Sequence, residues 1–136
     1  MATQIFLNLP VKNLDKSVAF FTKLGYTFNP QFTNEKATCM IISDTIYVML
    51  LTEPFFQTFT KKEIVNARKA VECIICLSAG SKDAVNEMIG KAEAAGANIP
   101  NPPTDYGFMY QHSYEDLDGH LWEIAWMDPN GMPEHQ

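Results

Sequence analysis

Positive charge is scarce in this sequence: Lys and Arg number 10 against 16 Asp and Glu, for a net charge of −6. Nucleic acid and anionic membrane surfaces both need a basic face, so neither is an expected partner. Cysteine is scarce as well, and its count of three is odd. That excludes a complete disulfide framework and points to free thiols in a reducing cytoplasm. Long apolar runs are missing. The longest, residues 46–51 and 73–77, suit buried strands rather than a bilayer span. Residues 1–10 lack the basic region and apolar stretch of a secretory signal, which again leads to a cytoplasmic expectation. Phosphate-cradling glycine loops, a G-x-S-x-G elbow and a dinucleotide fingerprint are all absent.

What is present is a chain of 136 residues, 46% apolar and only 19% charged. Such a chain can bury one core, or two half-size modules. Residues 5–11 read as a strand with Ile5, Leu7, Leu9 and Val11 on one face. Asn13 is placed to cap a helix, Leu14, Val18, Phe21 and Leu24 recur at helical spacing, and Gly25 stops it. Strands follow over residues 26–32, 37–42 and 46–51, separated by turns at 34–35 and 43–45. Residues 53–69 break the rhythm and read as a connection. In it, Pro54 starts a short helix whose apolar side is Phe55, Phe56 and Phe59, and residues 60–63 read as a second cap and first turn.

The same order then recurs. Residues 70–77 read as a strand, Ser81 caps a helix with Val85, Met88, Ile89 and Ala92 on its stripe, and Gly96 ends it. Residues 98–103, rich in proline, suit an edge strand or loop. Strands over 107–115 and 120–127 flank a turn at Asp118-Gly119. The expected fold is therefore α+β: a single domain over 1–136, with module one over about 3–52, module two over about 70–128, and a loose tail over 129–136 that includes His135.

Alternation along each strand separates a face under the helix from a second face. In the last strand Trp122, Ile124 and Trp126 are the core set, while Glu123 lies on the other side between Leu121 and Ala125. The second faces of the other strands carry Phe6 and Asn8; Tyr47, Met49 and Leu51; and Glu72, Ile74 and Cys76. Curved around a shared space, these residues would line a mainly apolar cup with few polar groups, the mixture that small-molecule pockets use. An acid among apolar neighbours needs a partner, which favours a pocket role for Glu123. If Glu72 converges on it, their repulsion raises one pKa and creates an acid–base pair. The face of His112 depends on the hairpin. A two-residue turn places Tyr114 opposite Glu123 and His112 on the same face; a three-residue turn places Ser113 there and turns His112 away. Cys73 and Cys76 have C-x-x-C spacing but point to opposite faces of a strand, so they read as ordinary small residues rather than a redox or metal motif.

Two segments carry a family resemblance. Leu9-Pro10-Val11, Asn13-Leu14-Asp15, Phe20-Phe21 and Leu24-Gly25-Tyr26 resemble the opening strand and helix of the vicinal oxygen chelate superfamily, which includes glyoxalase, bleomycin-resistance proteins and extradiol dioxygenases. Asp116-Leu117-Asp118-Gly119 followed by Glu123 resembles its closing hairpin, often written D-P-D-G-x-x-x-E. The resemblance implies tandem βαβββ modules forming a cup-shaped mixed sheet, completed as a homodimer. In metal-dependent members the first and last strands of each module supply ligands. Carried over by motif, Glu123 matches the final ligand and Glu72 the one opening module two, while Phe6 and Met49 stand at the module-one positions. Neither an aromatic ring nor a thioether suits a hard divalent cation. The expected function is small-molecule binding in an apolar cup with Glu123 and Glu72 as acidic anchors, lined also by Asn8, Phe6, Tyr47, Met49 and His112, without an intact metal site; no cofactor is assigned, and a divalent metal belongs to the alternative. The alternative is a metal-dependent lyase, isomerase or dioxygenase resembling lactoylglutathione lyase, in which His112 or a second subunit completes the ligand set. A third reading makes Glu72 and Glu123 a metal-free base and acid.

Overall fold

The computed structural model describes residues 2–131; the end of the expected tail, including His135, lies outside the described residues. The chain divides into two compact units, one ending at Val65 and the other starting at Asn66.

Unit one runs β1 (Ile5–Val11), α1 (Leu14–Lys23), β2 (Thr27–Asn29), β3 (Ala37–Ile41), β4 (Ile46–Thr52) and the short α2 (Glu53–Phe56). Its sheet has the order β1-β4-β3-β2, with β1 parallel to β4 and the other neighbours antiparallel. Asn13 caps α1 as its position implies, accepting from the Lys16 N–H at 3.0 Å, and Gly25 takes the left-handed backbone (φ +104°) that closes it. Phe20, Phe21 and Leu24 are buried, as are Met40, Val48 and Leu50 on one face of the sheet. Unit two repeats the scheme with β5 (Ile75–Ser78), α3 (Lys82–Ala94), β6 (Thr104–Asp105), β7 (Met109–Glu115) and β8 (Leu121–Met127), in the order β5-β8-β7-β6 with β5 parallel to β8. Ser81 caps α3 through the Ala84 N–H at 3.0 Å. Val85, Ile89, Ala92, Tyr114, Trp122 and Ile124 form its buried core, where Tyr114 and Trp122 lie parallel at 6.2 Å. The fold is thus α+β, built as two βαβββ units that each carry a four-stranded mixed sheet. No helix among the described residues is long and apolar enough to cross a membrane.

Several boundaries depart from the sequence expectation for identifiable reasons. The strand expected over 26–32 ends at Asn29, because Pro30 has no N–H to continue the ladder and a 3-10 turn follows, with Asn29 Oδ1 accepting from the Gln31 N–H at 3.0 Å. Residues 60–63 form no helix. The Gln57 amide donates to the carbonyls of Thr60 and Lys62, and Thr60 Oγ1 accepts from the Lys62 N–H, which spends the groups a first helical turn would use. Pro100, Pro102 and Pro103 leave 98–103 as a loop, apart from a bridge between Asn98 and Glu115.

The largest departure is β5, expected over 70–77 and found over Ile75–Ser78. Its parallel ladder pairs Ile75 with Trp122 and Cys76 with Glu123. Continuing that register backwards would set Glu72 level with Gly119, which lies in the turn before β8. The chain there has no strand to pair with, and residues 66–70 instead form a turn closed by Lys69 and Ala70 N–H groups on the Asn66 carbonyl.

Candidate functional site

In each unit one helix covers one face of the sheet, so the opposite faces are the candidate sites. On β8 of unit two, Glu123 stands between two register partners, Cys76 on β5 and Ser113 on β7. The β7–β8 turn sets this arrangement. The Asp116 N–H donates to the His120 carbonyl at 3.0 Å, leaving Leu117, Asp118 and Gly119 as a three-residue turn. The buried Asp116 carboxylate holds the turn by accepting from the N–H groups of Asp118 (2.9 Å) and His120 (3.0 Å) and from the Trp122 indole (2.9 Å). Burial pushes the Asp116 carboxyl above its ordinary range, against the opposing effect of these donors and of His120.

With that turn, Ser113 and not Tyr114 is opposite Glu123, and His112 pairs with Ile124 on the helix side. His112 is therefore turned from the carboxylate it was expected to accompany; its Nε2 lies 2.9 Å from the Asn101 carbonyl oxygen. Gln111 and Thr104, themselves register partners, extend the Glu123 face. These residues open onto a cavity of about 290 Å³ lined by Asn101, Pro102, Thr104, Gln111, Ser113 and Glu123, which His112 also borders. Its character is polar: one acid with hydroxyl and amide groups around it. The Cys76 thiol beside Glu123 is pushed up to about 11 by partial desolvation first and then by hydrogen bonding toward the carboxylate and its charge.

Unit one is built on the same register and filled differently. Met49 on β4 stands between Asn8 on β1 and Cys39 on β3, as Glu123 stands between Cys76 and Ser113. Phe6 pairs with Tyr47, and their rings stack at 4.9 Å with 11° between planes. Leu51 and Cys39 are buried on this side. The α2 segment packs back onto β1 and β4 and closes a cavity of about 500 Å³ that includes Phe6, Asn8, Leu51, Phe56, Phe59 and Thr60 in its lining.

This equivalence corrects the placement of Glu72. If Met49 matches Glu123 and Asn8 matches Cys76, then Ile74, not Glu72, occupies the place of Phe6. Glu72 lies in the exposed coil before β5, at the place of Gln4. The four positions that the resemblance marks for metal ligands thus hold Phe6, Met49, Ile74 and Glu123: two hydrocarbons, a thioether and one carboxylate. That donor set does not fit a divalent cation. No group of three His, Cys, Asp or Glu side chains among the described residues is arranged to hold a metal ion. Thr104, Gln111 and Asn101 were not singled out from the sequence. Their signal was the hairpin register, which needed the turn length.

Comparison with known proteins bears on the fold and on unit one. Residues 3–43 match the family model described as bleomycin resistance protein-like N-terminal. A hypothetical protein from S. aureus is 26% identical with a TM-score of 0.79, over 93% of this chain and 95% of that one. A glyoxalase/bleomycin resistance protein/dioxygenase family enzyme from Burkholderia phytofirmans is 15% identical with a TM-score of 0.77, over 93% of this chain and 99% of that one. The fosfomycin resistance protein FosX from Listeria monocytogenes is 17% identical with a TM-score of 0.70, over 96% and 97% of the two chains. No curated protein matches the sequence.

Proposed function

We propose that the chain is a member of the vicinal oxygen chelate superfamily of glyoxalase and bleomycin-resistance proteins, and that it binds an organic small molecule without a metal, anchored by Glu123 on the open face of unit two. The observation that carries this reading is the donor set: of the four positions where metal-dependent members place ligands, only Glu123 offers an oxygen. What remains is a carboxylate in a concavity of about 290 Å³ with Ser113, Gln111 and Thr104 as neutral hydrogen-bonding groups. A cationic group with N–H donors is the ligand feature such a site complements. The working assembly in this proposal is a homodimer, so sedimentation is expected to give twice the 15.3 kDa chain mass, and a value at 15.3 kDa would sink that part. The proposed compartment is the cytoplasm, supported by Cys39, Cys73 and Cys76 all being free thiols.

Two measurements on the full chain test the reading. Metal analysis of protein purified without chelator is expected to find no stoichiometric ion. Calorimetry with benzamidine as a cationic probe and benzoate as its anionic counterpart is expected to favour benzamidine, with Glu123→Gln removing about tenfold of that preference. Stoichiometric zinc, nickel, manganese or iron, lost in Glu123→Gln, would instead make the protein a metal-dependent lyase, isomerase or dioxygenase.

A further inference from the structure

An asparagine is chemically reactive when the backbone nitrogen of the next residue can reach its side-chain carbonyl carbon. The side chain must be free to turn, and the next residue must carry an N–H and little bulk. The chain has nine asparagines. Asn13, Asn29, Asn34 and Asn66 each hold a backbone N–H of their own cap or turn through Oδ1. Asn8 donates to the Phe6 carbonyl, Asn98 donates to the Glu115 carboxylate, and Asn86 accepts from the Tyr110 hydroxyl. That leaves Asn101 and Asn130, whose side chains make no hydrogen bond among the described residues. Asn101 precedes Pro102, which has no N–H to lose. Asn130 precedes Gly131, and both are exposed.

The turn that holds Asn130 is built by Asp128. Asp128 Oδ1 accepts from the Asn130 N–H at 2.9 Å, and the Asp128 carbonyl accepts from the Gly131 N–H at 3.2 Å. The second carboxylate oxygen lies against Gly131, where a Cβ would stand 2.9 Å from it. The Gly131 nitrogen has to leave its carbonyl partner and shed its proton before it can attack. A negative charge beside it opposes that loss.

We propose that Asn130 is a site of spontaneous covalent modification, cyclising with Gly131, and that the Asp128 turn slows the reaction. The Gly131 nitrogen gives its proton to hydroxide and bonds to Asn130 Cγ. The bond from Cγ to Nδ2 breaks, and the nitrogen leaves as ammonia with a proton taken from water. The resulting succinimide adds one water. Breaking the Cγ–N bond yields aspartate; breaking the backbone C–N bond leaves the chain running through Cγ, as isoaspartate. Nothing is oxidised or reduced. Either product adds one negative charge, and isoaspartate also lengthens the backbone inside a turn that Asp128 closes on both sides of Asn130.

The test incubates the full chain, folded and in urea, in mildly alkaline buffer made with heavy-oxygen water. Tandem mass spectrometry of a digest made in ordinary water then locates the label. In the folded chain the label is expected at residue 130 before any other asparagine, and faster as pH rises. An isoaspartyl carboxyl methyltransferase with labelled S-adenosylmethionine is expected to methylate the aged chain and not the fresh one. Asn130→Gln, an exposed change that keeps the backbone N–H, removes both signals. Asp128→Ala is expected to speed folded-state labelling about tenfold, the worth of about one hydrogen bond, and to do much less in urea, where the turn is gone. Circular dichroism checks that both variants fold. Absence of label at residue 130, or earlier labelling of another asparagine in the folded chain, overturns the site. Equal folded-state rates with and without Asp128, or an acceleration just as large in urea, overturns the role of the turn.

Discussion

Cys76 and Glu123 are register partners on the parallel β5–β8 ladder, which sets the thiol beside the carboxylate. Partial desolvation first, then hydrogen bonding toward Glu123 and its negative charge, push the thiol up to about 11. A group raised from its ordinary 9.0 stabilises the fold below pH 9, and that contribution is lost as pH rises through about 11. Alkylation by iodoacetamide, which needs the thiolate, is therefore expected to be slow at pH 8 and to rise with a midpoint near 11. Glu123→Gln removes the carboxylate charge but keeps an acceptor for the thiol and leaves the desolvation, so the midpoint moves down without reaching 9.0. Cys73 lies on the same tryptic fragment, so the measurement uses a Cys73→Ser background and peptide mass spectrometry. A midpoint unmoved by Glu123→Gln would show that the carboxylate does not engage the thiol.

Asp116 is the keystone of the β7–β8 turn, because one carboxylate satisfies two backbone N–H groups and the Trp122 indole. Asp116→Ala removes the carboxylate acceptor that all three donors share in or beside the buried core, and should cost about 3 kcal/mol in urea denaturation. Asp116→Asn keeps an acceptor and should cost less. Because burial raises the Asp116 pKa, the native state binds this proton more readily than the unfolded chain. Its contribution is full below the ordinary 3.8 and is lost as pH rises through the higher folded value. The stability deficit of Asp116→Asn should accordingly be larger at acid pH than at pH 7; an equal deficit at both would show that the carboxyl does not titrate differently on folding.

The parts of the fold legible in the sequence are those fixed by local chemistry. Asn13 and Gly25 bracket one helix, and Ser81 with Gly96 the other, because caps and left-handed stops are properties of single residues. The core and open faces followed from alternation, and Glu123 was found that way. Long-range register was not legible. Glu72 was placed on β5 because residues 70–77 have a strand-like pattern, yet a parallel strand extends only as far as its partner, and β8 begins at Leu121. The side of His112 hung on one residue of turn length. Asp116 decides that length through three hydrogen bonds to side-chain and backbone groups that no periodicity records.

The two glycine turns at Gly25 and Gly119 separate backbone strain from crowding. Both take positive φ, +104° and +90°, so a side chain at either one is strained in its backbone alone. A Cβ at Gly25 would meet nothing within 4 Å. One at Gly119 would lie 2.7 Å from Arg68 Cγ, 2.9 Å from the Arg68 backbone nitrogen and 3.1 Å from the Ala67 carbonyl carbon, because the chain at the start of unit two passes directly over this turn. The Arg68 guanidinium also donates to the Leu117 carbonyl in the same turn, which holds the crossing segment down and leaves it no room to retreat. Gly25→Ala should therefore cost about 1 kcal/mol, the left-handed penalty alone. Gly119→Ala should cost roughly 3 kcal/mol, since overpacking adds to that penalty. Adding Arg68→Ala to Gly119→Ala should recover part of that cost, because it removes the nearest atom and the guanidinium tie while the two backbone atoms stay in the way. Urea denaturation of the three variants checks this, and equal costs for the two glycines would show that the 66–70 crossing does not press on the turn.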